Sequence, residues 1–255
     1  MKVVCLGSGN VATHLASALK ASGADLLQVY SKTLANAQAL ASVLNSQAID
    51  NLEQLNRDAD LYLISINDDA IATVVGQLKG LKGMVVHTAG ATSLSVFEEQ
   101  GFSHYGVLYP LQTFSKSRPV DFSTVPLCLE AGTNDDLQTL HQLAAKLSTL
   151  VYEVNSDDRK LLHLAAVFAC NFSNHLYHLS AGLLKSKNLS FDLLKPLILE
   201  TAAKVQNAVP YDVQTGPARR GDEETMNRHL ALIQEAPILT DIYETLSKSI
   251  KKTYL

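Results

Sequence analysis

The sequence predicts an α/β protein, with a doubly wound, mostly parallel sheet in residues 1–154 and an all-helical domain in residues 155–255. Up to residue 154, short apolar runs alternate with amphipathic helical patterns, as in successive βαβ units. After residue 154 only helical patterns remain. Apolar residues make up 47% of the 255 residues and charged residues 18%, so the chain has ample material for a buried core.

The elements follow in order along the chain. Strands are expected at residues 3–6, 26–30, 61–66, 84–87, 104–108, 126–130 and 151–154, in a sheet of about eight strands. Helices are expected between them at residues 10–21, 34–44, 68–78 and 134–147, with a short helix capped by Ser93. In the second domain, helices are expected at residues 157–187, 191–208, 222–234 and 237–252. No low-complexity linker separates the domains, so close packing is expected.

Composition and charge exclude several classes of protein. A net charge of −4 disfavours a general nucleic-acid binder, and no apolar run reaches the roughly 18 residues that cross a bilayer. The N-terminal strand does not resemble an export signal. Cys5, Cys128 and Cys170 are expected to be buried free thiols in a reducing cytoplasm, because they lack the spacing of a disulfide framework or zinc site. His175 and His178 have no further ligand nearby in the sequence, so no metal site is expected.

A glycine-rich turn joins the first strand to the first helix. Its six residues, 7–12 (GSGNVA), fit the GxGxxA pattern of the Rossmann dinucleotide-binding fold. Gly7 permits the tight turn, and Gly9 lets the backbone approach a pyrophosphate. The helix N-terminus then offers free N–H groups to the phosphates. The residues expected to bind the pyrophosphate are Gly7, Ser8, Gly9, Asn10 and Val11.

The end of the second strand favours NADP(H) over NAD(H). An NAD site usually places a carboxylate there for the ribose hydroxyls, whereas this chain has Ser31, Lys32 and Thr33. Two hydroxyls and a cation suit a 2′-phosphate, which a carboxylate would repel. The alternative is that Lys32 is an ordinary solvated lysine.

Two further loops follow strand ends, where ligands bind in open α/β sheets. Ser65, Ile66 and Asn67 follow the third predicted strand, and His87 and Thr88 stand at the end of the fourth. All five are expected to line the nicotinamide half of the cleft. His87 is either an acid or base or a histidine that makes a structural hydrogen bond.

Polar residues interrupt the apolar helix that begins the second domain. At 100° per residue, His163, Asn171, Asn174 and His178 share an arc of about 80°. Unpaired buried amides and imidazoles are costly, so this arc should face a cleft or polar partners. His163 and Asn171 are the candidate catalytic residues, positioning a substrate and donating a proton. The alternative is a polar network between helices or across a dimer interface.

Residues 215–222 (TGPARRGD) form the other unusual segment. Glycine and proline fix this loop, and arginine forks match carboxylates and phosphates. Thr215 and Arg220 are the candidate substrate-binding residues, with an anionic substrate or the cofactor phosphate as partner. The alternative is a helix connection whose arginines pair with Asp222 and Glu223.

These motifs together resemble a bacterial family of NADP oxidoreductases. Its members join a Rossmann domain to a helical C-terminal domain of unknown function and are distant relatives of pyrroline-5-carboxylate reductase and the β-hydroxyacid dehydrogenases. The resemblance implies a cofactor cleft between the domains, a homodimer built through the helices, and, by position, roles for His163 and Asn171. The chain departs from the family at Tyr109, where histidine is common, and at Ala89, where serine is common. The motifs that carry the resemblance are residues 7–12, 87–90, 109–114, 163–172 and 215–222.

The function predicted from these features is hydride transfer between NADP(H) and a small, anionic carbonyl or imine compound. One alternative is a dinucleotide-binding sensor or scaffold without chemistry, because no unmistakable catalytic pair stands in the sequence. Another is an NADP-dependent deazaflavin reductase, which requires a long apolar slot beside the nicotinamide.

Overall fold

Eight strands form a single sheet in the computed structural model, which describes all residues 1–255. The strand order is β3-β2-β1-β4-β5-β6-β7-β8, and every neighbouring pair is parallel except β6 and β7. The chain reverses its direction of travel across the sheet between β1 and β4, which creates a crevice at the carboxyl ends of these strands. The strands are β1 (Lys2–Leu6), β2 (Asp25–Tyr30), β3 (Gln47–Ile49), β4 (Leu61–Ile64), β5 (Met84–His87), β6 (Tyr105–Pro110), β7 (Leu127–Ala131) and β8 (Val151–Glu153).

Helices cover both faces of the sheet, and after the last strand the chain is mostly helical. Those of the sheet region are α1 (Asn10–Ala21), α2 (Leu34–Leu44), α3 (Asp68–Gln77), α4 (Ser95–Glu98) and α5 (Asn134–Ala144). The later helices are α6 (Ser156–Ala166), α7 (Ser173–Lys185), α8 (Lys195–Asn207), α9 (Pro217–Arg220), α10 (Glu223–Ile233) and α11 (Pro237–Tyr254). A π-helical segment, Val167–Phe172, joins α6 to α7. None of the helices combines the length and the apolar character needed to cross a membrane.

Two apolar layers sandwich the sheet because successive side chains of a strand point to opposite faces. Val3 and Cys5 of β1 pack in the layer that contains α1, α2 and α5. Val4 and Leu6 of the same strand pack in the layer that contains α3 and α4. The predicted doubly wound, mostly parallel architecture is therefore confirmed.

The sheet region and the C-terminal helices form two compact units, residues 1–171 and 172–255. Helix α6 begins at Ser156, close to the predicted change of pattern, but it packs with the first unit. The reason is Arg159, which is fully buried there. Packing thus carries the first unit about one helix beyond the point where the sequence changes from alternating to all-helical.

The second unit buries few of its own apolar side chains. Of the apolar residues after position 171, only Ala218 and Met226 are buried. Its connections are nevertheless well defined: the carboxylate of Asp222 accepts a hydrogen bond from Thr225 N at 3.0 Å and so caps α10. The rings of Tyr211 and Tyr254 stack with centroids 4.6 Å apart.

Three details differ from the sequence-based expectations. Strand β3 was not predicted, because its three residues are too few to show an alternating pattern. The expected helix 157–187 is interrupted by the π-helical segment. Cys5 and Cys128 are buried, and burial raises the pKa of the Cys5 thiol to about 12, but Cys170 is exposed and so does not fit the expectation of three buried thiols.

Candidate functional site

A cleft of about 620 Å³ opens at the carboxyl ends of β1, β2, β4, β5 and β6. This is the crevice that the strand order creates, where open α/β sheets bind their ligands. It belongs entirely to the first unit. Polar groups are spread along its whole length, and Asp68 is the only carboxylate among the lining residues.

Two glycines at the start of the cleft have different roles. Gly7 has a φ of +129°, and a Cβ atom on it would lie 2.0 Å from the carbonyl oxygen of Ser65, so the strands could not approach as they do. Gly9, the N-cap of α1, faces open space, with no protein atom within 4 Å of a Cβ placed there. The N-terminus of α1 has no side-chain cap and no acidic residue in its first turn. Uncapped N–H groups beside open space fit a bound diphosphate.

The end of β2 supplies the second part of the cleft. Ser31, Lys32 and Thr33 all line it, as predicted, and the Ser8 hydroxyl donates a hydrogen bond to the Ser31 hydroxyl at 3.0 Å. Thr33 is the N-cap of α2, which also has no side-chain cap. Asn36, in the first turn of α2, lines the same region and was not predicted, although its position one turn after a loop lysine was a usable signal. These groups fit a 2′-phosphate better than a bare ribose.

The loops after β4 and β5 lie side by side in the middle of the cleft. The hydroxyls of Ser65 and Thr88 are 2.8 Å apart and almost fully buried, so they tie the two loops together. Ile66 and Asn67 continue the first loop along the cleft wall. All four residues therefore line the cleft, and their contact with a nicotinamide stays a prediction.

His87 lies in the core instead of lining the cleft. It is 0% exposed, its ring stacks on Phe97, and its Nδ1 accepts a hydrogen bond from Ala89 N at 3.2 Å. Burial, followed by the charge of Arg159, lowers the pKa of His87 to about 3. The prediction that it lines the nicotinamide half is therefore corrected: as the last residue of a buried strand, it points into the apolar layer and supports the loop from behind.

His163 of α6 does reach the cleft, where it meets Tyr109 at the end of β6. The Tyr109 hydroxyl and His163 Nδ1 are 2.9 Å apart, and the two rings meet edge to face at 74°. The imidazole also packs against Gly90, since a Cβ atom there would lie 2.6 Å from the ring. Both side chains line the cleft, so the structure brings a histidine and a phenol together at the end away from Lys32.

Asp68, in the first turn of α3, lies near this pair. Desolvation raises the pKa of its carboxyl group, while the nearby charge of His163 and a hydrogen bond from the Ala91 backbone lower it. The cleft therefore combines an imidazole, a phenol and a carboxyl group at one end.

Asn171 is not among the residues that line this cleft. The predicted polar arc assumed a regular α-helix throughout, but the segment Val167–Phe172 is π-helical. Asn171, Asn174 and His178 are all exposed. Of the predicted arc, only His163 lines the cleft, and the other three polar residues are corrected to exposed positions outside it.

Thr215 and Arg220 belong to the second unit and are exposed there. Arg220 is 3.9 Å from the Asp222 carboxylate, a weak pairing at a side chain that is 64% exposed. Arg219 instead lies over the ring of Tyr254, 4.6 Å from its centroid. One of the two arginines is therefore used in packing, and the Asp222 pairing matches the alternative given for this loop.

A buried ionic cluster behind the cleft was missed. The Arg159 guanidinium pairs with the Glu130 carboxylate of β7 and donates to the Thr92 carbonyl at 2.6 Å. Glu130 also accepts hydrogen bonds from the backbone and hydroxyl of Ser156, and Ser156 Oγ accepts one from Leu94 N. The cluster links β7, α6 and the loop that carries Gly90. An arginine one turn before His163 in an apolar helix was the available signal.

Comparisons with known proteins agree with this geometry. Residues 2–89 match the family described as "NADP oxidoreductase coenzyme F420-dependent", and residues 125–250 match the family described as "Domain of unknown function (DUF2520)". A "putative NADP oxidoreductase" from Bacteroides fragilis is 44% identical, has a TM-score of 0.94, and the match covers 98% of each chain. No curated protein matches the chain.

More distant solved structures share the fold. An imine reductase from Myxococcus stipitatus, in complex with NADP⁺, is 17% identical with a TM-score of 0.68, over 99% of this chain and 93% of that one. A 1-pyrroline-5-carboxylate reductase from Streptococcus pyogenes is 14% identical with a TM-score of 0.67, over 99% of this chain and 98% of that one.

Proposed function

Because the chain belongs to the family of NADP oxidoreductases that join a Rossmann domain to a DUF2520 domain, we propose that it reduces a small, anionic carbonyl or imine compound with NADPH. NADP(H) is the cofactor of this family. The observation that supports reduction of a carbonyl or imine is the placement of His163 at one end of a cleft whose other end fits a phosphorylated dinucleotide.

The residues of the chain divide into two groups along the cleft. Gly9 and the N-terminus of α1 would hold the diphosphate, and Ser31, Lys32 and Thr33 would hold the 2′-phosphate. Ser65, Ile66, Asn67 and Thr88 would line the nicotinamide half. When bound, NADPH supplies the hydride. The buried tie between Ser65 and Thr88 would keep the loops beneath it rigid.

His163 would act on the substrate. A carbonyl or imine that accepts hydride at carbon must gain a proton at its heteroatom, and an imidazole within the cleft can donate it. Asp68, in the first turn of α3, would lie near the imidazole that donates this proton. For the anionic group of the substrate, Arg220 and Thr215 remain candidates.

The test is NADPH oxidation with a panel of keto acids and cyclic imines, measured with wild type and His163→Ala. We expect turnover with at least one compound and a loss of about 100-fold or more in the variant, the range over which a general acid contributes. Full activity in His163→Ala would remove this residue from the mechanism. Unchanged NADPH binding by calorimetry controls for folding.

A charge reversal tests the cofactor choice separately. Lys32→Glu should weaken NADPH binding by about tenfold or more and leave NADH binding nearly unchanged, because the variant repels only the extra phosphate. The exposed Lys79, which lies outside the cleft, provides the matched control Lys79→Glu. Equal losses in the two variants would contradict the assignment.

Reduction of a deazaflavin by NADPH is a second candidate, favoured by the family match of residues 2–89, which names coenzyme F420. Spectral titration with a deazaflavin distinguishes the two candidates, since its reduction is visible without any other substrate. If NADPH bound tightly and no metabolite extract oxidised it, the sensor or scaffold alternative would be favoured.

We also propose a homodimer built through the second unit. Leu193 lies just before α8, and Leu197 and Leu199 lie within it. All three side chains are more than half exposed. A unit that buries only Ala218 and Met226 lacks the apolar burial that a domain of this size needs. A second copy of the chain would cover these side chains.

A further inference from the structure

Tyr109 lies at the end of β6, and its hydroxyl contacts the one histidine that lines the cleft, His163. We propose that Tyr109 is a positioning residue that holds the His163 imidazole in one orientation through both protonation states of a proton-transfer cycle. The proposal rests on the function proposed above and adds to it the group that directs the proton.

The geometry leaves one nitrogen of the imidazole available. Nδ1 is 2.9 Å from the Tyr109 hydroxyl, and the ring is held on another side by the backbone of Gly90. Nε2 is therefore the nitrogen left to meet a ligand. Tyr109 itself is only 8% exposed, so its hydroxyl has little access to water.

A hydroxyl suits this position because it both donates and accepts hydrogen bonds. When His163 is neutral before any proton transfer, the phenol donates its hydrogen to Nδ1, which places the imidazole proton on Nε2. When His163 is charged, Nδ1–H donates to the phenol oxygen instead. The contact thus survives both states, which a phenylalanine could not achieve.

The environment keeps Tyr109 a neutral phenol. Burial raises its pKa to about 12, with further increases from Cys128 and Asp68 and an opposing effect from Arg159. A carboxylate in this position would fix the charge on the imidazole, whereas a neutral phenol lets the proton leave. The ionisable groups around the pair are then Asp68 on α3, Cys128 on β7 and Arg159 on α6.

In the reaction that this arrangement would serve, the substrate carbon would gain a hydride with its two electrons from NADPH, which would leave as NADP⁺, and the C=O or C=N π bond would break. The heteroatom would take the Nε2 proton of charged His163. The remaining proton of the imidazole would stay on Nδ1, donated to the phenol oxygen, until Nε2 regains a proton from solvent. Tyr109 neither gains nor loses a proton over the cycle.

Tyr109→Phe tests the proposal because it removes only the hydroxyl. We expect kcat to fall about tenfold, the factor that one lost hydrogen bond accounts for, while KM for NADPH stays within about twofold. The alkaline limb of the pH–rate profile should move to lower pH, because the phenol stabilises the charged imidazole more than the neutral one. Tyr109→His, which can also donate and accept, should restore part of the rate.

Tyr62→Phe is the matched control. Tyr62 is equally buried, and its hydroxyl donates to the Asn56 carbonyl at 3.0 Å, outside the cleft. This variant should lose stability without any shift of the pH–rate profile. A shift of equal size in both variants would show a general effect on folding and overturn the positioning role.

Nitrogen-15 NMR of the histidine rings provides a readout that needs no turnover. Wild type should show His163 with its neutral-state proton on Nε2, and Tyr109→Phe should change the Nδ1 and Nε2 shifts. Unchanged shifts would overturn the proposal even if the rate fell. If Tyr109→Phe altered these shifts but wild type oxidised NADPH with no carbonyl or imine, the Tyr109–His163 contact would be supported. Only the proposed function would then be contradicted.

Discussion

Gly9 and Gly7 are two residues apart, yet the structure requires them for different reasons. Gly7 is needed for the fold, because any side chain would meet the backbone of Ser65. Gly9 has open space around it and an ordinary backbone conformation, so the fold tolerates a side chain there. The space that a methyl group on Gly9 would enter is the space assigned to the diphosphate.

Gly9→Ala should therefore fold normally and bind NADPH poorly. We expect a melting temperature within about 2 °C of wild type without cofactor, and a loss of most of the stabilisation that saturating NADPH gives. Gly182→Ala in the exposed part of α7 is the control, since a Cβ atom there also meets nothing within 4 Å. It should be stabilised by roughly 0.5–1 kcal/mol and retain full NADPH binding. If both variants bound NADPH equally well, the diphosphate site would be misplaced.

His87 makes the stability of the first unit depend on acid. Its pKa is about 3 in the folded protein, because of burial and the nearby Arg159, against 6.5 for a free histidine. Between these values the unfolded chain binds the proton that the folded protein excludes, so stability falls as pH drops through this window. Above pH 6.5 the contribution is complete.

His87→Gln should flatten this dependence. The glutamine carbonyl can still accept from Ala89 N but has no proton to take up, so urea unfolding from pH 7 to pH 4 should show a shallower loss of stability than in wild type. The exposed His175, which forms no ion pair, provides the control His175→Gln, which should leave the slope largely as it is. Identical slopes in wild type and His87→Gln would contradict the burial of a neutral imidazole.

At the scale of elements, the Arg159–Glu130 pair decides how α6 attaches to the sheet. Arg159 is fully buried, its Nε has no hydrogen-bond partner, and its other nitrogens hold β7 and the loop before α4. A buried pair of this kind contributes little compared with an apolar pair, but losing one partner leaves an uncompensated charge. The same attachment places His163, one turn later, in the cleft.

Replacing Arg159 alone should lower the free energy of unfolding more than replacing Arg159 and Glu130 together. Arg159→Met should cost about 3–5 kcal/mol of unfolding free energy, and the double variant Arg159→Met/Glu130→Gln should recover part of it, since no buried carboxylate is then left unpaired. The exposed pair Lys248–Glu244 gives the control, where Lys248→Met should cost less than about 1 kcal/mol. Strict additivity of the Arg159 and Glu130 variants in denaturant unfolding would rule out the coupling.

The elements also show how far sequence reasoning reaches. Helices 10–21 and 34–44 and strand 84–87 were predicted to the residue, since glycine turns and apolar periodicity mark them locally. The family was predicted because the glycine motif acts through its own backbone and is therefore visible in the local sequence. Binding of NADP(H) by the expected cofactor residues stays a prediction. His87 was misplaced because the direction in which a strand-end side chain points depends on packing between distant residues. Asn171 was misplaced because the periodicity of a regular helix does not show which of its residues reach a cleft built by distant strands.

For the whole molecule, the two units differ most in how they bury apolar surface. The first has two complete apolar layers, whereas the second leaves Leu183, Leu189, Leu197, Leu232 and Ile238 between 45% and 82% exposed. Apolar surface on this scale is rarely left in water and marks interaction surfaces. The resemblance to the oxidoreductase family implied a dimer through the helices, and the exposed side chains support that proposal independently of it.

Leu197→Glu should weaken this dimer because it places a charge in the surface that the second copy is proposed to cover. Wild type should sediment as a dimer at micromolar concentration and melt at a temperature that rises with protein concentration, since only the folded chain associates. The variant should sediment as a monomer and melt lower. Val43→Glu is the matched control: Val43 is 66% exposed, against 61% for Leu197, but it lies on α2 of the first unit and should not alter sedimentation. A wild-type protein that remained monomeric with a concentration-independent melting temperature would refute the dimer, because the exposed leucines would then be stable in water without a partner.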